Sequence, residues 1–222
     1  LHYHTYAFNL HKYNIYSGAD KRRGEAVVPD AYRPPGFPMF ASLFFGTDFP
    51  VTNTLIAQSL ILTLTLTLSY ILVAVMIGRV PAFIATLLAI TSPHLVVSNS
   101  YYLTESLFAS LLLLSFVLFS YGLKVNKTFY LLVAGVAFGY ASLVRPSVDF
   151  FMPAYVLMLY LFLPKGSKRI TLYFALSLFA IPLAWKLRNI MHFGPGGDSQ
   201  IIINSFLHGT YPNFMYNGDP AT

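Results

Sequence analysis

Between Val51 and Gly78 the chain carries no Asp, Glu, Lys or Arg. A membrane-crossing helix needs roughly 20 apolar residues, and this run is longer, so the segment is built for hydrocarbon. Its backbone must then satisfy its own polar groups, which a helix does and an open strand in lipid does not. That argument settles one local ambiguity. LTLTLTLSY, Leu62 to Tyr70, alternates with the period of a half-buried strand. Inside so long a charge-free run it reads as helix, its threonines bonding back to carbonyls one turn earlier or packing on neighbouring helices.

Five further apolar stretches follow, at about Val80 to Val97, Leu103 to Leu123, Phe129 to Val144, Val148 to Leu163 and Ile170 to Lys186. Some are short, so tilt or partial insertion is expected. The whole chain is 56% hydrophobic and 10% charged, against about a quarter charged for soluble domains. The fold class expected is all-α, a polytopic transmembrane helical bundle, with a first loop outside the bilayer carrying short amphipathic helices. Residues 1–54 read as that loop, 55–187 as a bundle of about six helices, and 188–222 as a truncated segment on the same side. The chain opens on Leu1 without a basic leader and cleavage site, and ends in YNGDPAT, so it reads as an internal fragment. Without cysteine it has no disulfide or thiolate metal chemistry.

Net charge is +6, but in such a chain distribution matters more than sum, and no nucleic-acid partner is expected. If each stretch crosses once, Arg79, Lys124 to Lys127 and Lys165 to Arg169 share one face, holding six Lys or Arg and no acid. All eight Asp and Glu, and all six His, fall on the other. The positive-inside rule makes the basic face cytoplasmic, and residues 1–54 extracytoplasmic. Charges near the outer helix ends become site candidates, because ionisable groups at that depth are costly.

In YRPPGF each proline fixes its own φ and biases the residue before it toward extended backbone, so Arg33 is held stiffly. A guanidinium so placed suits bidentate recognition of phosphate; an interfacial anchor snorkelling to headgroups accounts for it equally well. Glu105 stands just inside the outer end of an apolar helix. It reads either as a first-turn carboxylate favouring the dipole, with Ser100 or Thr104 as cap, or as a carboxylate aimed at an outer cavity, holding a metal or an acceptor. Arg145, in SLVRPSVDF, has Asp149 four residues on as a local partner. Tyr3, Tyr6, Ala7 and Leu10 form one face of an amphipathic helix suited to roofing the outer side.

Other signals are weaker. His2, His4, His192 and His208 lack metal-site spacing and read as solvated or packed. GPGG after the last apolar stretch lacks the spacing and setting of a nucleotide-binding loop. Asn126-Lys127-Thr128 matches a glycosylation sequon on the cytoplasmic side and is discounted.

The order YHTYAFNL, YRPPGFPMFASLFFG, an apolar helix, YYLTESLFASLLLL, LLVAGVAFGYASLVRPSV and LRNIMHFG resembles the membrane glycosyltransferases of the GT-C fold. The likeness is to the bacterial branch related to protein O-mannosyltransferases, lipid A aminoarabinose transferases and rhizobial lipopolysaccharide core transferases, over nearly the whole chain. The resemblance implies an enzyme of the bacterial inner (plasma) membrane that takes a sugar from a polyprenyl-phosphate donor to a lipid, glycan or protein acceptor on the outer face. It makes Arg33 a ligand of the carrier phosphate and counts Tyr3 among the substrate-binding residues. Glu105 becomes the acidic catalytic-cavity residue, next to the acceptor or a divalent metal, and Arg145 takes a second phosphate or a structural role. The family's catalytic aspartate would fall a few residues before Tyr3, upstream of residue 1, so this chain alone is expected to be inactive. A transporter or flippase for a lipid-linked glycan, which would place charge or broken helices near the midplane, and a noncatalytic carrier-binding relative are the alternatives.

Overall fold

The structure, a computed structural model, describes residues 2–163 and 168–194. Among them it is helical throughout, without strands. In chain order the helices are α1 (His2–Tyr13), α2 (Gly36–Ser42), α3 (Pro50–Met76), α4 (Arg79–Ile90), α5 (Pro93–Ser100), α6 (Thr104–Val125), α7 (Thr128–Val144), α8 (Phe151–Phe162) and α9 (Lys168–Phe193), with 3-10 turns at Lys21–Arg23 and Pro146–Val148.

The alternating segment lies in α3. Thr63, Thr65, Thr67 and Ser69 each donate a hydroxyl to the carbonyl four residues earlier, at 2.7 to 2.8 Å, which leaves few bare polar groups facing hydrocarbon. Ile56, Leu60, Leu64, Ile71 and Val75 are exposed along the same helix, an apolar outer stripe that only lipid would cover favourably.

Among the described residues three helices are long and apolar enough to cross alone: α3, α6 and residues Thr171–Phe193 of α9. The stretch expected as one segment from Val80 to Val97 is two helices. Pro93 has no N–H to continue the ladder and pushes Ser92 to extended backbone, ψ 115°, so α4 stops at Ile90 and α5 starts afresh. At 12 residues, α4 and α8 each rise only about 18 Å.

The core is α6, α7 and α9. On α7, Gly135 and Gly139 form a GVAFG seam against α9: a methyl at Gly135 would lie 2.6 Å from the Phe174 carbonyl oxygen, and one at Gly139 would collide with that of Leu178. Small residues four apart let two backbones approach, the usual way helices associate where lipid removes the hydrophobic drive. Phe119, Leu131, Phe138, Phe174 and Leu178 fill the space around the seam. Gly139→Val is expected to force α9 away and cost about 1–3 kcal/mol by overpacking, read as a lower unfolding temperature in detergent; an unchanged temperature would mean the seam is not close-packed.

Gln58 near the start of α3 donates to the Leu103 carbonyl just before α6 at 3.3 Å, so these helices run parallel. The α7–α9 contacts advance together along both chains, so these are parallel too. One end of the bundle therefore gathers Arg79, Lys124, Lys127, Lys168 and Arg169, and the other gathers Glu105, Arg145 and Asp149. Over that second end lie α1 and α2, where Ala7, Phe37, Ala41, Leu107 and Val144 bury one another. Tyr6 and Ala7 of the expected α1 face are fully buried, so the roofing arrangement is present.

Candidate functional site

The site begins with how the RPPG backbone is held. Asp30 anchors its approach: one carboxylate oxygen accepts from the Tyr6 hydroxyl at 2.8 Å, the other from the Gly18 N–H at 2.6 Å. Burial first, and then the bonded carboxylate, push the Tyr6 hydroxyl far above the usual phenol range, so it stays a donor. Arg188 of α9 donates to the Asp30 carbonyl at 2.9 Å. The Tyr16 hydroxyl is shared between the carbonyls of Arg33 (2.8 Å) and Pro34 (3.1 Å), with its ring edge-on to Trp185 at 5.0 Å. Beyond the prolines, the Tyr140 hydroxyl of α7 donates to the Gly36 carbonyl at 2.8 Å. The segment is thus bonded before, at and after the arginine, to three different parts of the chain.

The Arg33 guanidinium lies 5.2 Å from the Tyr32 ring centre and 6.0 Å from that of Tyr3. Its Nε is buried with no hydrogen-bond partner. An unpaired buried donor is costly, and a ligand anion would remove that cost. The Tyr3 hydroxyl is raised by burial; Arg33 opposes the rise, Glu105 adds to it and Arg145 opposes it. Arg33, Glu105 and Arg145 therefore all lie close enough to act on the Tyr3 hydroxyl.

Glu105 is the second residue of α6, whose N-cap position is Leu103 with no side-chain capping bond; the cap expected from Ser100 or Thr104 is not the arrangement found. One Glu105 oxygen accepts from Arg145 Nη1 at 3.1 Å, and the other from the Thr104 hydroxyl at 3.3 Å. The partner expected for Arg145 was Asp149. Four-residue pairing needs a continuing helix, whereas α7 ends at Val144, Arg145 is extended at φ −148°, and a 3-10 turn follows. Arg145 therefore reaches across to α6, forty residues back in the chain. With side chains 46% and 33% exposed, such a pair contributes only about 0–1 kcal/mol to stability.

Arg33 also borders a cavity of about 520 Å³ between the RPP segment, α7, α8 and α9, lined by Pro34, Pro35, Ser142, Asp149, Trp185 and Lys186 among others. Burial raises the Asp149 carboxyl to about 6, against the opposing pull of Ser142 and Lys186; the Ser142 hydroxyl donates to the Gly139 carbonyl at 3.0 Å. Asp149 and Lys186 were not read from the sequence as one site, and no spacing signal links them, since they meet only once three helices and a loop are assembled.

Among the described residues no three His, Asp or Glu side chains gather where they could hold a metal ion. Glu105, the one carboxylate considered for that role, already faces a guanidinium, so this donor set does not fit a divalent ion. His4 packs edge-on to Phe45 and His192 beside Phe193; His208 and the tail from Pro195 lie outside the described residues.

Compared with known proteins, no curated protein and no solved structure matches the chain. The family model described as dolichyl-phosphate-mannose-protein mannosyltransferase matches residues 32–185, from the tyrosine before Arg33 to the tryptophan beside Lys186. Well over half the chain is covered, with RPPG, Glu105 and Arg145 inside the match. The chain belongs to the dolichyl-phosphate-mannose-protein mannosyltransferase family of membrane glycosyltransferases.

Proposed function

We propose that this protein transfers a sugar from a polyprenyl-phosphate donor to a lipid, glycan or protein hydroxyl at the extracytoplasmic face of a bacterial inner membrane. The observation that carries the reading is that Arg33, which lies 6.0 Å from the Tyr3 ring centre, and the Glu105–Arg145 pair all act on the Tyr3 hydroxyl of α1. A donor with its tail in hydrocarbon and its phosphate at the surface needs a cation at that depth. Arg33 supplies one whose backbone is pre-positioned, so little ordering is left to the moment of binding. The basic opposite end supports the orientation.

In this reading the acceptor oxygen attacks the anomeric carbon, opposite the carrier phosphate, and the bond from that carbon to the phosphate oxygen breaks with inversion. Arg33 holds the phosphate as charge moves onto it. Glu105 holds Arg145 in place through their ion pair and accepts a hydrogen bond from the acceptor's hydroxyl. No step is routed through a divalent ion.

The test is transfer of radiolabelled sugar from a panel of polyprenyl-phosphate donors, in membranes carrying the full-length protein. Transfer above control membranes supports the reading, and none from a broad panel overturns it. Glu105→Gln in the same assay is expected to lower turnover at least tenfold with membrane insertion intact, because a neutral amide no longer fixes Arg145. Near-normal turnover would leave Glu105 with only its place in the first helical turn.

A further inference from the structure

The transfer reaction changes the charge of what occupies the donor site. The donor is a phosphodiester with one negative charge. When the anomeric C–O bond breaks, its electron pair stays on the phosphate oxygen and the carrier becomes a monoester. The acceptor's proton either remains on that monoester or leaves to solvent, and the second phosphate pKa, near 6, decides which. At neutral pH the product carries nearly one more charge than the substrate, so a site built only of cations would hold product tighter than donor.

The cavity beside Arg33 is not built only of cations. Arg33 lines it from the RPP segment, Lys186 from α9 and Asp149 from the turn after α7, with Ser142 of α7 and Trp185 of α9 also in the lining. Lys186 is the charged group that acts on Asp149, and Arg145, four residues before it, is turned away to Glu105. The Asp149 side chain caps no helix: α8 has Phe150 at its N-cap with no side-chain capping bond, and the turn Asp149 closes is made by its backbone N–H, which donates to the Pro146 carbonyl at 3.0 Å.

We propose that Asp149 is a charge discriminator in the donor cavity, admitting the singly charged carrier diester while repelling the doubly charged carrier monophosphate, so that spent carrier is released. This rests on the donor reading of Arg33 above. The carboxyl is neutral below about pH 6, so discrimination is weak in acid and grows as pH rises through that value. Lys186 attracts both forms, the doubly charged one more strongly, and Asp149 opposes that bias.

The experiment measures binding, so it does not depend on turnover. The full-length protein in phosphatidylcholine nanodiscs is titrated with a short-chain polyprenyl monophosphate and with the matching glycosyl phosphodiester, at pH 5 and at pH 7.5. For Asp149→Asn, the ratio of monoester to diester affinity at pH 7.5 is expected to rise about tenfold over wild type, the order expected for one charge acting at short range in a protein. At pH 5 the two proteins should coincide. Lys186→Gln should weaken both ligands, the doubly charged monoester more, so at pH 7.5 the ratio falls where Asp149→Asn raises it, and the opposite signs separate charge selection from loss of the fold. Phosphatidic acid, a monoester on a different lipid, should displace neither ligand at equal concentration. An unchanged ratio in Asp149→Asn while both ligands bind would overturn the discriminator alone; failure of wild type to bind either, or equal displacement by phosphatidic acid, would overturn the donor reading beneath it.

Discussion

Arg33→Ala in the full-length protein is expected to cut sugar transfer at limiting donor about 100-fold, the scale of removing one partner from a desolvated charge pair. The loss should appear mainly as a raised donor KM, since the phosphate is present before and after the transition state and most of its binding is uniform. Folding should survive. What the RPP segment contributes to the fold runs through the Arg33 carbonyl, held by Tyr16, and an alanine keeps that carbonyl. Arg33→Lys should fall between, retaining charge but losing the fork that grips two oxygens. The rival account, a snorkelling anchor, makes the opposite forecast: lysine and arginine serve equally, and alanine alters insertion rather than donor use. Assaying both variants over a range of donor concentrations, with membrane extraction as the insertion control, separates the two.

Legibility in the sequence follows from how far each signal reaches along the chain. The helical reading of LTLTLTLSY needed only the length of the charge-free run, and the threonine-to-carbonyl bonds found there are local. The buried face of α1 is periodic over a few turns and equally local. The break at Pro93 was within reach, since proline and its preceding residue are strong punctuation, yet a uniformly apolar composition masked it. The partner of Arg145 was out of reach. A local rule favoured Asp149, and only the adjacency of α6 and α7 offers Glu105 instead. The same holds for Asp149 and Lys186, which line one cavity once the GVAFG seam draws α7 onto α9, and for the Tyr140 to Gly36 bond between α7 and α2. That seam is itself written in the sequence, as small residues four apart, but its partner helix is not.

Gly36→Ala is expected to impair both folding and transfer although it adds a single methyl. Gly36 does not have a positive φ, so the glycine is not there for a special turn. It is there for room: an added Cβ would lie 2.5 Å from the Val144 nitrogen and 2.7 Å from the Leu143 carbonyl carbon. Those are backbone atoms, and the last turn of α7 is pinned by the Arg145 N–H bonding to the Ala141 carbonyl at 2.9 Å and by the buried packing of Val144 on Ala7, Phe37 and Leu107. Neither side has a rotamer to change, so α2 must lift or α7 must shift. Either movement stretches the Tyr140 to Gly36 bond and displaces Arg33, three residues before the glycine, relative to Arg145, which directly follows Val144. Stability should fall by about 1–3 kcal/mol, the cost of overpacking a filled site, and transfer should fall in kcat as well as in donor affinity, unlike Arg33→Ala. The control is Gly36→Ala combined with Val144→Ala. The second change removes the Val144 Cγ2 contact at 2.8 Å but leaves the backbone one, so the double variant should remain impaired in both thermal unfolding and transfer. Full rescue would place the constraint in the valine side chain and release α2 from the main chain of α7.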